Sequence, residues 1–308
     1  MSHKYFFIVN PHSASRRTGR IWPHVKEEFE KKLGRIDFAM TKGNIHATYL
    51  AGEALYKGYD RIVTVGGDGT LNETVNGFYD ANGLINNNVV LGYFPSGTGE
   101  DLARTFKIEN AGIAEHVDRI VNGVVKKIDI GNVQFLKADG SMHSRKFINE
   151  ISAGFTANVA STVNTFPKFM TGKIAFLLGI AGSLAMLKNR EITVKAGGKE
   201  IFSGKALAAC VTNGKFFGGS MKIAPEAEVN DGLFEIIIIK NMGRIELIRK
   251  IGTIYEGSHI KDPKVMTARA REIQITSRHK VGIEMDGEPV GFVGAKINVH
   301  EREVGFIV

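Results

Sequence analysis

Residues 63–77 read VTVGGDGTLNETVNG. A β-branched apolar run, Arg61–Val65, ends in a glycine turn, and Leu71, Val75 and Phe78 then recur at helical spacing. Strand, glycine turn and helix form the unit from which parallel α/β sheets are assembled. Gly66 and Gly67 remove side chains where backbone N–H groups can point at an anion, and Gly69 permits the sharp bend. Thr70 is placed to cap the following helix, whose positive dipole end faces the same way. Asp68 lies inside this turn, where a carboxylate repels phosphate. It therefore needs a task of its own: holding Mg²⁺ through water, or orienting and deprotonating an attacking hydroxyl. Asn72 and Glu73 open the helix and are placed to reach a nucleoside.

Outward from this stretch, strands and helices alternate over the first ~125 residues, the pattern of a parallel sheet. Lys4–Val9 reads as a strand ending at Asn10-Pro11, followed by a helix with Trp22, Val25, Phe29 and Leu33 on one face. Ile36–Met40 is a short strand, and Ala47, Leu50, Ala51, Ala54 and Leu55 mark a second amphipathic helix. Val89–Phe94 is a further strand ending at PSGTGEDLAR, and Ile113–Val121 is helical. Near Gly123 the rhythm changes to strands: Lys127–Ile130, Lys146–Ile151, Glu191–Lys195, Ala206–Thr212, Leu233–Lys240, Arg271–Thr276, Val281–Met285 and Lys296–His300. One helical insert, about Thr156–Lys188, interrupts them. The expectation is an α/β nucleotide-binding domain with a parallel sheet over residues 1–124, completed by the closing strand at 301–308. A mainly antiparallel β-sandwich domain with a helical insert follows over 125–300.

The 308 residues carry 40 Lys+Arg against 32 Asp+Glu, a net charge of +8, with pI near 9.4. That balance suits anionic partners, such as nucleotide phosphates or acidic lipid headgroups, as well as simple solubility. Nucleic acid is not the expected partner, because no recognised motif or interleaved basic and aromatic pattern occurs. The single Cys210 excludes an intrachain disulfide and a cysteine-based zinc site. The N-terminus lacks the apolar stretch of a signal peptide, and the longest mostly apolar run, Ile174–Leu187, falls short of the ~20 residues of a membrane span. A cytoplasmic protein, peripheral at most to a membrane, is the expectation.

Special residues gather where the strands of the first half end: Asn10-Pro11, Thr41, Gly66–Asn72 and Ser96–Asp101. Open parallel sheets bind ligands outside the carboxyl ends of their strands, so four such ends argue for a nucleotide site, although each alone is an ordinary turn. Gly97 and Gly99 flank Thr98, whose hydroxyl and amide can face phosphate. Glu100 and Asp101 read either as dipole partners of a helix start or as groups for an acceptor hydroxyl or hydrated metal. No GxxxxGK[ST] and no protein-kinase motif set is present. In the second half, Asp286 and Glu288 flank Gly287, a pattern typical of a hairpin turn, and Asp231-Gly232 marks a loop suited to a cation through Asp231 and backbone carbonyls.

In order along the chain, Asn10-Pro11, Thr41 before Gly43 and His46, GGDGTLNE, GTGEDLAR, GGSMKIAP, NDGLFE and MDGE resemble the diacylglycerol-kinase-like lipid kinase family, which includes bacterial lipid kinases, ceramide kinases and sphingosine kinases. GGDGT alone is shared with NAD kinases and phosphofructokinases; the later segments narrow the resemblance to the lipid kinases. It implies an active site in the cleft between an α/β domain and a β-sandwich-like domain. The resemblance implies ATP contacts at Thr41, at Gly66, Gly67, Asp68, Gly69, Thr70, Leu71 and Asn72, and at Thr98. The resemblance further implies a catalytic carboxylate at Glu288 supported by Asp286 and Asp68, and a structural Mg²⁺ on the Asp231 side chain with the Glu228 and Leu233 carbonyls. The family often has Asn where Glu100 stands, a departure that touches the acceptor pocket or metal shell. The resulting reading is ATP-dependent phosphorylation of a lipid hydroxyl (diacylglycerol, phosphatidylglycerol or a sphingoid base) at an anionic membrane surface. The stretch Phe166–Leu187 reads as core or as the shape of a lipid entrance, and a homodimer is allowed. The alternatives are a kinase with a soluble acceptor such as NAD, and a nucleotide- or membrane-binding module without turnover.

Overall fold

The computed structural model describes residues 3–166 and 172–308. The chain divides into two compact units, one of residues 1–128 and 302–308 and one of residues 129–301.

The first unit runs β1 (Tyr5–Val9), α1 (Ser13–Leu33), β2 (Asp37–Met40), α2 (His46–Tyr56), β3 (Arg61–Gly66) and α3 (Asp68–Asn76). A two-stranded hairpin, β4 (Tyr79–Asp80) and β5 (Gly83–Leu84), leads to β6 (Val90–Pro95), α4 (Asp101–Phe106) and α5 (Ile113–Asn122). β1 pairs in parallel with β2 and β3, and β3 pairs in parallel with β6. The last residues of the chain close this sheet, with Gly305 and Phe306 in parallel register with Val90 and Leu91. Phe306 also stacks on Phe106 with ring centroids 4.4 Å apart. The apolar face of α1 buries Trp22, Val25 and Phe29, and Phe29 lies 4.6 Å from Phe7, centroid to centroid. Helices α2 and α3 approach so closely that a Cβ on Gly77 would stand 2.2 Å from the Thr48 carbonyl oxygen. Arg119 on α5 donates to the carbonyls of Tyr93 (2.5 Å) and Ile307 (2.9 Å), tying the helix to two strands.

The second unit contains the end of β7 (Val125–Leu136), then β8 (Met142–Phe147), β9 (Glu150–Gly154), α6 (Phe155–Val163), α7 (Gly172–Ser183), β10 (Arg190–Ala196), β11 (Lys199–Thr212) and β12 (Phe234–Lys240). It continues with α8 (Arg244–Glu256), β13 (Val265–Ala270), β14 (Glu272–Thr276), β15 (Gly282–Met285) and most of β16 (Glu288–Ile307). Pairing is antiparallel in the order β13-β12-β11-β10-β14-β16, with β9 between β11 and β15. The long strand β11 changes partner partway: Lys199–Ala206 faces β10, and Ala208–Thr212 faces β9. Both faces of β11 and β12 are covered, which is why Ile236–Ile239 is an unbroken apolar run. Ala209, Val211, Ile236 and Ile238 enter the core between strands, whereas Ala208, Cys210, Ile237 and Ile239 pack with residues of α6, α7 and α8.

Two sequence expectations need correction. The strand read at Lys146–Ile151 is two strands, broken at Ile148–Asn149, where the Asn149 side chain donates to the Phe216 carbonyl at 2.9 Å. The helical insert is also not alone. Helix α8 lies in a half whose sequence pattern is dominated by strands, yet Gly243 and a left-handed Gly257 bracket it, and Glu246 pairs with Lys250 one turn on.

His116 on α5 is buried beside Phe94, ring centroids 5.0 Å apart, and burial, with Arg119 next to it, lowers its pKa from 6.5 to about 4. Between those values the unfolded chain binds the proton that the folded one refuses, so His116 costs stability progressively as pH falls from about 6.5 towards 4. Denaturant unfolding from pH 7 to 4.5 is expected to show this loss, and His116→Gln to flatten it; an unchanged slope would contradict the assignment.

Candidate active site

Because the strands of the first unit are parallel, their carboxyl ends share one edge, and the register continues beyond the strands. The amide of Asn10 donates to Val65 O (2.9 Å), that of Thr41 to Val9 O (2.8 Å) and that of Ser96 to Gly66 O (2.8 Å). The strand-end segments at Asn10, Thr41, Gly66–Gly67 and Ser96–Gly97 thus lie side by side. Asn10 Nδ2 donates to the Thr70 hydroxyl at 2.8 Å, and Ser13 and Thr18 both donate to the Ser96 carbonyl at 2.8 Å. The two glycine loops meet backbone on backbone: a Cβ on Gly97 would stand 2.6 Å from the Gly67 Cα.

Asp68 is the first residue of α3. Its Oδ2 accepts the Asp101 amide at 3.2 Å and its Oδ1 faces the Tyr93 hydroxyl at 3.5 Å; the Leu102 and Glu100 amides also bond it. The carboxylate inside the glycine turn therefore holds the start of α4. Burial raises its pKa above the ordinary value, against these donors, which favour the charged form. The Tyr93 phenol is pushed well up by the same burial and then by Asp68, Glu100 and Asp101. Nothing local in the sequence marks Tyr93, which reads as one more strand residue.

Glu100 adopts a left-handed backbone, φ 54°, and its Oε1 accepts the Gly97 amide at 3.2 Å. Asn tolerates that conformation better than Glu, which gives the unusual residue a backbone cost and a loop-closing bond together. Its carboxyl is raised, first by burial, and the Asp68 charge adds to this. Asp101 is buried beneath the loop, and Thr98 is exposed.

Several expected roles shift. Thr70 is not the helix cap: Gly67 is the N-cap, no side chain caps α3, and the Thr70 hydroxyl takes the Asn10 amide. The first-turn amides of α3 are thus left without a capping side chain, which fits an anion. Glu73 accepts the Ile45 and Ala47 amides at 2.8 and 3.2 Å and so ties the start of α2 to α3. The Leu71 side chain is in the core, and buried Asn72 bonds Asn76 at 3.2 Å.

In the second unit, Asp286 and Gly287 form the two-residue turn between β15 and β16, with φ 47° and 83°. Both being positive, this is the twist-matched hairpin turn that Asp-Gly favours. Asp286 Oδ1 accepts the amides of Asn149 (3.3 Å) and Glu150 (2.9 Å), which pins the turn to β9. Glu288 leaves the turn partly exposed, with its Oε2 3.1 Å from Arg145 Nη1. Arg145, on β8, is far away in sequence, and nothing local marks it as the partner of Glu288.

The NDGLFE loop is braced by the Gly232 amide, which donates to buried Asp129 Oδ2 at 2.7 Å. The Asp231 carboxylate accepts the Leu233 amide at 3.0 Å and is paired with Arg269, which also lies 2.8 Å from Glu235 Oε1. The Glu228 side chain is exposed. A guanidinium thus already neutralises the one carboxylate of the expected Mg²⁺ set, and among the described residues no cluster of three acidic, His or Cys side chains is arranged for a metal. The loop as arranged does not fit a divalent ion.

A parallel sheet with glycine loops and a buried carboxylate at its carboxyl edge is followed in the chain by an antiparallel β unit, and the comparisons identify this two-unit class. Residues 4–133 match the diacylglycerol kinase catalytic domain, and residues 149–307 match the YegS C-terminal NAD kinase beta sandwich-like domain. The chain is 31% identical to a diacylglycerol kinase of Bacillus subtilis, across 96% of this chain and 93% of that one. It is 29% identical to a diacylglycerol kinase of Staphylococcus carnosus, across 95% and 92%. A solved diacylglycerol kinase from Bacillus anthracis superposes with TM-score 0.73 at 20% identity, covering 99% of this chain and 96% of that one. An NAD kinase from Archaeoglobus fulgidus in complex with ATP shares the fold more distantly, TM-score 0.53 at 15% identity, covering 99% and 93%. The chain belongs to the diacylglycerol kinase family and is a lipid kinase.

Gly97→Ala is expected to force the two glycine loops apart, at a cost of about 1–3 kcal/mol in unfolding free energy. Nucleotide binding should weaken with it. Calorimetric titration and denaturant unfolding check this; wild-type values in both would show that the loops have room.

Proposed function

We propose that the protein transfers the γ-phosphoryl group of ATP to the hydroxyl of a diacylglycerol-type lipid at an anionic membrane surface. The observation that carries this reading is the shared carboxyl edge of the parallel strands, where uncapped α3 amides and the Gly67 and Gly97 loops surround Asp68. The names of the relatives support the acceptor class.

In this reading Thr41, Gly66–Asn72 and Thr98 receive the nucleotide, with amides donating to its phosphates; Leu71 and Asn72 contribute through backbone. Asp68 keeps the two loops together and supports the reacting end. Glu288 accepts the proton of the lipid hydroxyl as its oxygen attacks the γ-phosphorus and the bond to the ADP oxygen breaks, ADP leaving with the bonding electrons. Arg145 bonds Glu288 Oε2, which leaves Oε1 for the proton and fixes the carboxylate's orientation. Asp286 serves by holding the turn. Phosphoryl transfer asks for positioning and charge neutralisation more than covalent help, and Mg²⁺ carried by the nucleotide supplies part of that neutralisation.

The net charge of +8 favours anionic bilayers. No helix among the described residues is long and apolar enough to cross a membrane. Part of the stretch Phe166–Leu187, residues 167–171, lies outside the described residues. Within α7, Ile174, Leu177 and Leu178 are exposed while Ala175 and Ile180 are buried, so the helix has an apolar outer surface as well as a core face. That surface is suited to shaping lipid access.

Label transfer from ATP into diacylglycerol in mixed micelles, with NAD as a parallel acceptor, tests the reading. Glu288→Gln is expected to lower kcat by about 10²–10⁴-fold. Label entering NAD and no lipid would overturn the acceptor, and full activity of the variant would remove Glu288 from the proton-accepting role.

A further inference from the structure

Helix α8 faces two ways. Leu247 and Ile254 are buried, and Ile251 packs with them in the core that Ile237 and Ile239 of β12 enter. At the flank, Glu246 and Lys250 are satisfied in ion pairs: Lys250 lies 2.9 Å from Glu246 and 2.6 Å from Asp262, and Lys264 lies 2.6 Å from Glu246. On the outer side Ile245 and Ile248, neighbours three residues apart on the helix, are 68% and 56% exposed. The exposed Arg244 and Arg249 flank them, and among the described residues neither is ion-paired with a carboxylate. One turn beyond Ile248, a Cβ on Gly252 would meet nothing within 4 Å, so the face stays open until Glu256 ends the helix. The turn after α7, Leu184–Met186, lies against the start of this face. Arg244 Nη2 donates to the Ala185 carbonyl at 2.7 Å, and Asn189 and Met242 exchange hydrogen bonds of 2.9 and 3.0 Å. Met186, 56% exposed, therefore stands at the same end of the helix.

Single exposed apolar side chains are ordinary on a protein surface; large ones gathered beside guanidinium groups that no carboxylate neutralises are not. We infer that the outer face of α8 docks on an anionic lipid bilayer, with Ile245, Ile248 and Met186 entering the headgroup region and Arg244 and Arg249 bonding lipid phosphates. Insertion removes the isoleucine surface from water, and each arginine keeps its stem along apolar surface while its head reaches phosphate. Charge selects the partner, since a plane of lipid phosphates supplies the acceptors that the protein does not give these arginines. The ion pairs of Glu246 contribute here: its carboxylate is taken by Lys250 and Lys264, which leaves Arg249, one turn on, for the lipid. A second copy of the chain fits less well, because a stable protein interface takes about 20–30 residues a side and the apolar centre of this face is three side chains.

Co-sedimentation of the full chain with vesicles tests this without ATP or turnover. The wild type is expected to bind vesicles of equimolar phosphatidylglycerol and phosphatidylcholine, to release them as salt rises, and not to bind phosphatidylcholine alone. Ile245→Ser combined with Ile248→Ser is expected to weaken binding about 10- to 100-fold, because the apolar surface that leaves water is lost. Arg249→Gln is expected to weaken it about fivefold. Both changes lie outside the core, so the denaturant midpoint should stay at the wild-type value; where the double variant does not fold, Arg249→Gln and the salt dependence decide. Unchanged binding in the variants, or equal binding to neutral vesicles, would overturn the inference. So would a dimer in sedimentation velocity that the double substitution dissolves, since it would assign the face to a second copy. The inference rests on the lipid-kinase reading for its choice of partner alone. Label entering NAD and no lipid, with these vesicle results intact, removes the acceptor and leaves the docking face. Label entering diacylglycerol in mixed micelles, with vesicle binding unmoved by the substitutions, removes the face and leaves the acceptor.

Discussion

The first unit turns on a carboxylate that takes the backbone amides of a neighbouring loop. Asp68 begins one helix and receives the amides that begin another. A helix start leaves its first N–H groups without intrahelical partners; for α4, a six-residue helix, those groups find Asp68. Through this bond two loops, from the ends of β3 and β6, become one structure. The glycines follow from it, since loops tied so closely leave no room for a Cβ at Gly97. Burial of Asp68 opposes its own charge while the amides sustain it.

The second unit uses the same device on a different scaffold. Asp286 takes the amides of Asn149 and Glu150, a place where the chain steps from β8 to β9. The break in that strand is thus the partner of the turn, and each explains the other. In both units an aspartate beside glycine organises neighbouring backbone.

Much of the fold can be read directly from the chain. Helical spacing at Leu71, Val75 and Phe78 puts all three in the core, and the alternation over the first ~125 residues corresponds to parallel pairs β1–β2, β1–β3 and β3–β6. Helix α8 escaped because its apolar residues, Leu247, Ile251 and Ile254, are interleaved with exposed Ile245 and Ile248, which blurs the face. Residues such as Asp68 and Glu288 stood out as acidic groups in glycine turns. Their partners did not: Tyr93 lies 25 residues from Asp68, and Arg145 lies 143 from Glu288.

Periodicity and turn chemistry are short-range properties, so the chain alone determines where strands end, where glycine must stand and which acidic residues sit in turns. Which donor meets each of those acids is decided by strand register, which brings residues from remote segments within hydrogen-bonding reach. Thr70 and Glu73 show the difference. Thr70 reads as the cap of its own helix and takes the Asn10 side-chain amide instead, and Glu73, read from its place at the helix start, also accepts the amides of α2. A hydrogen-bonding group goes to the nearest unsatisfied partner in space, and only the folded sheet determines which one that is.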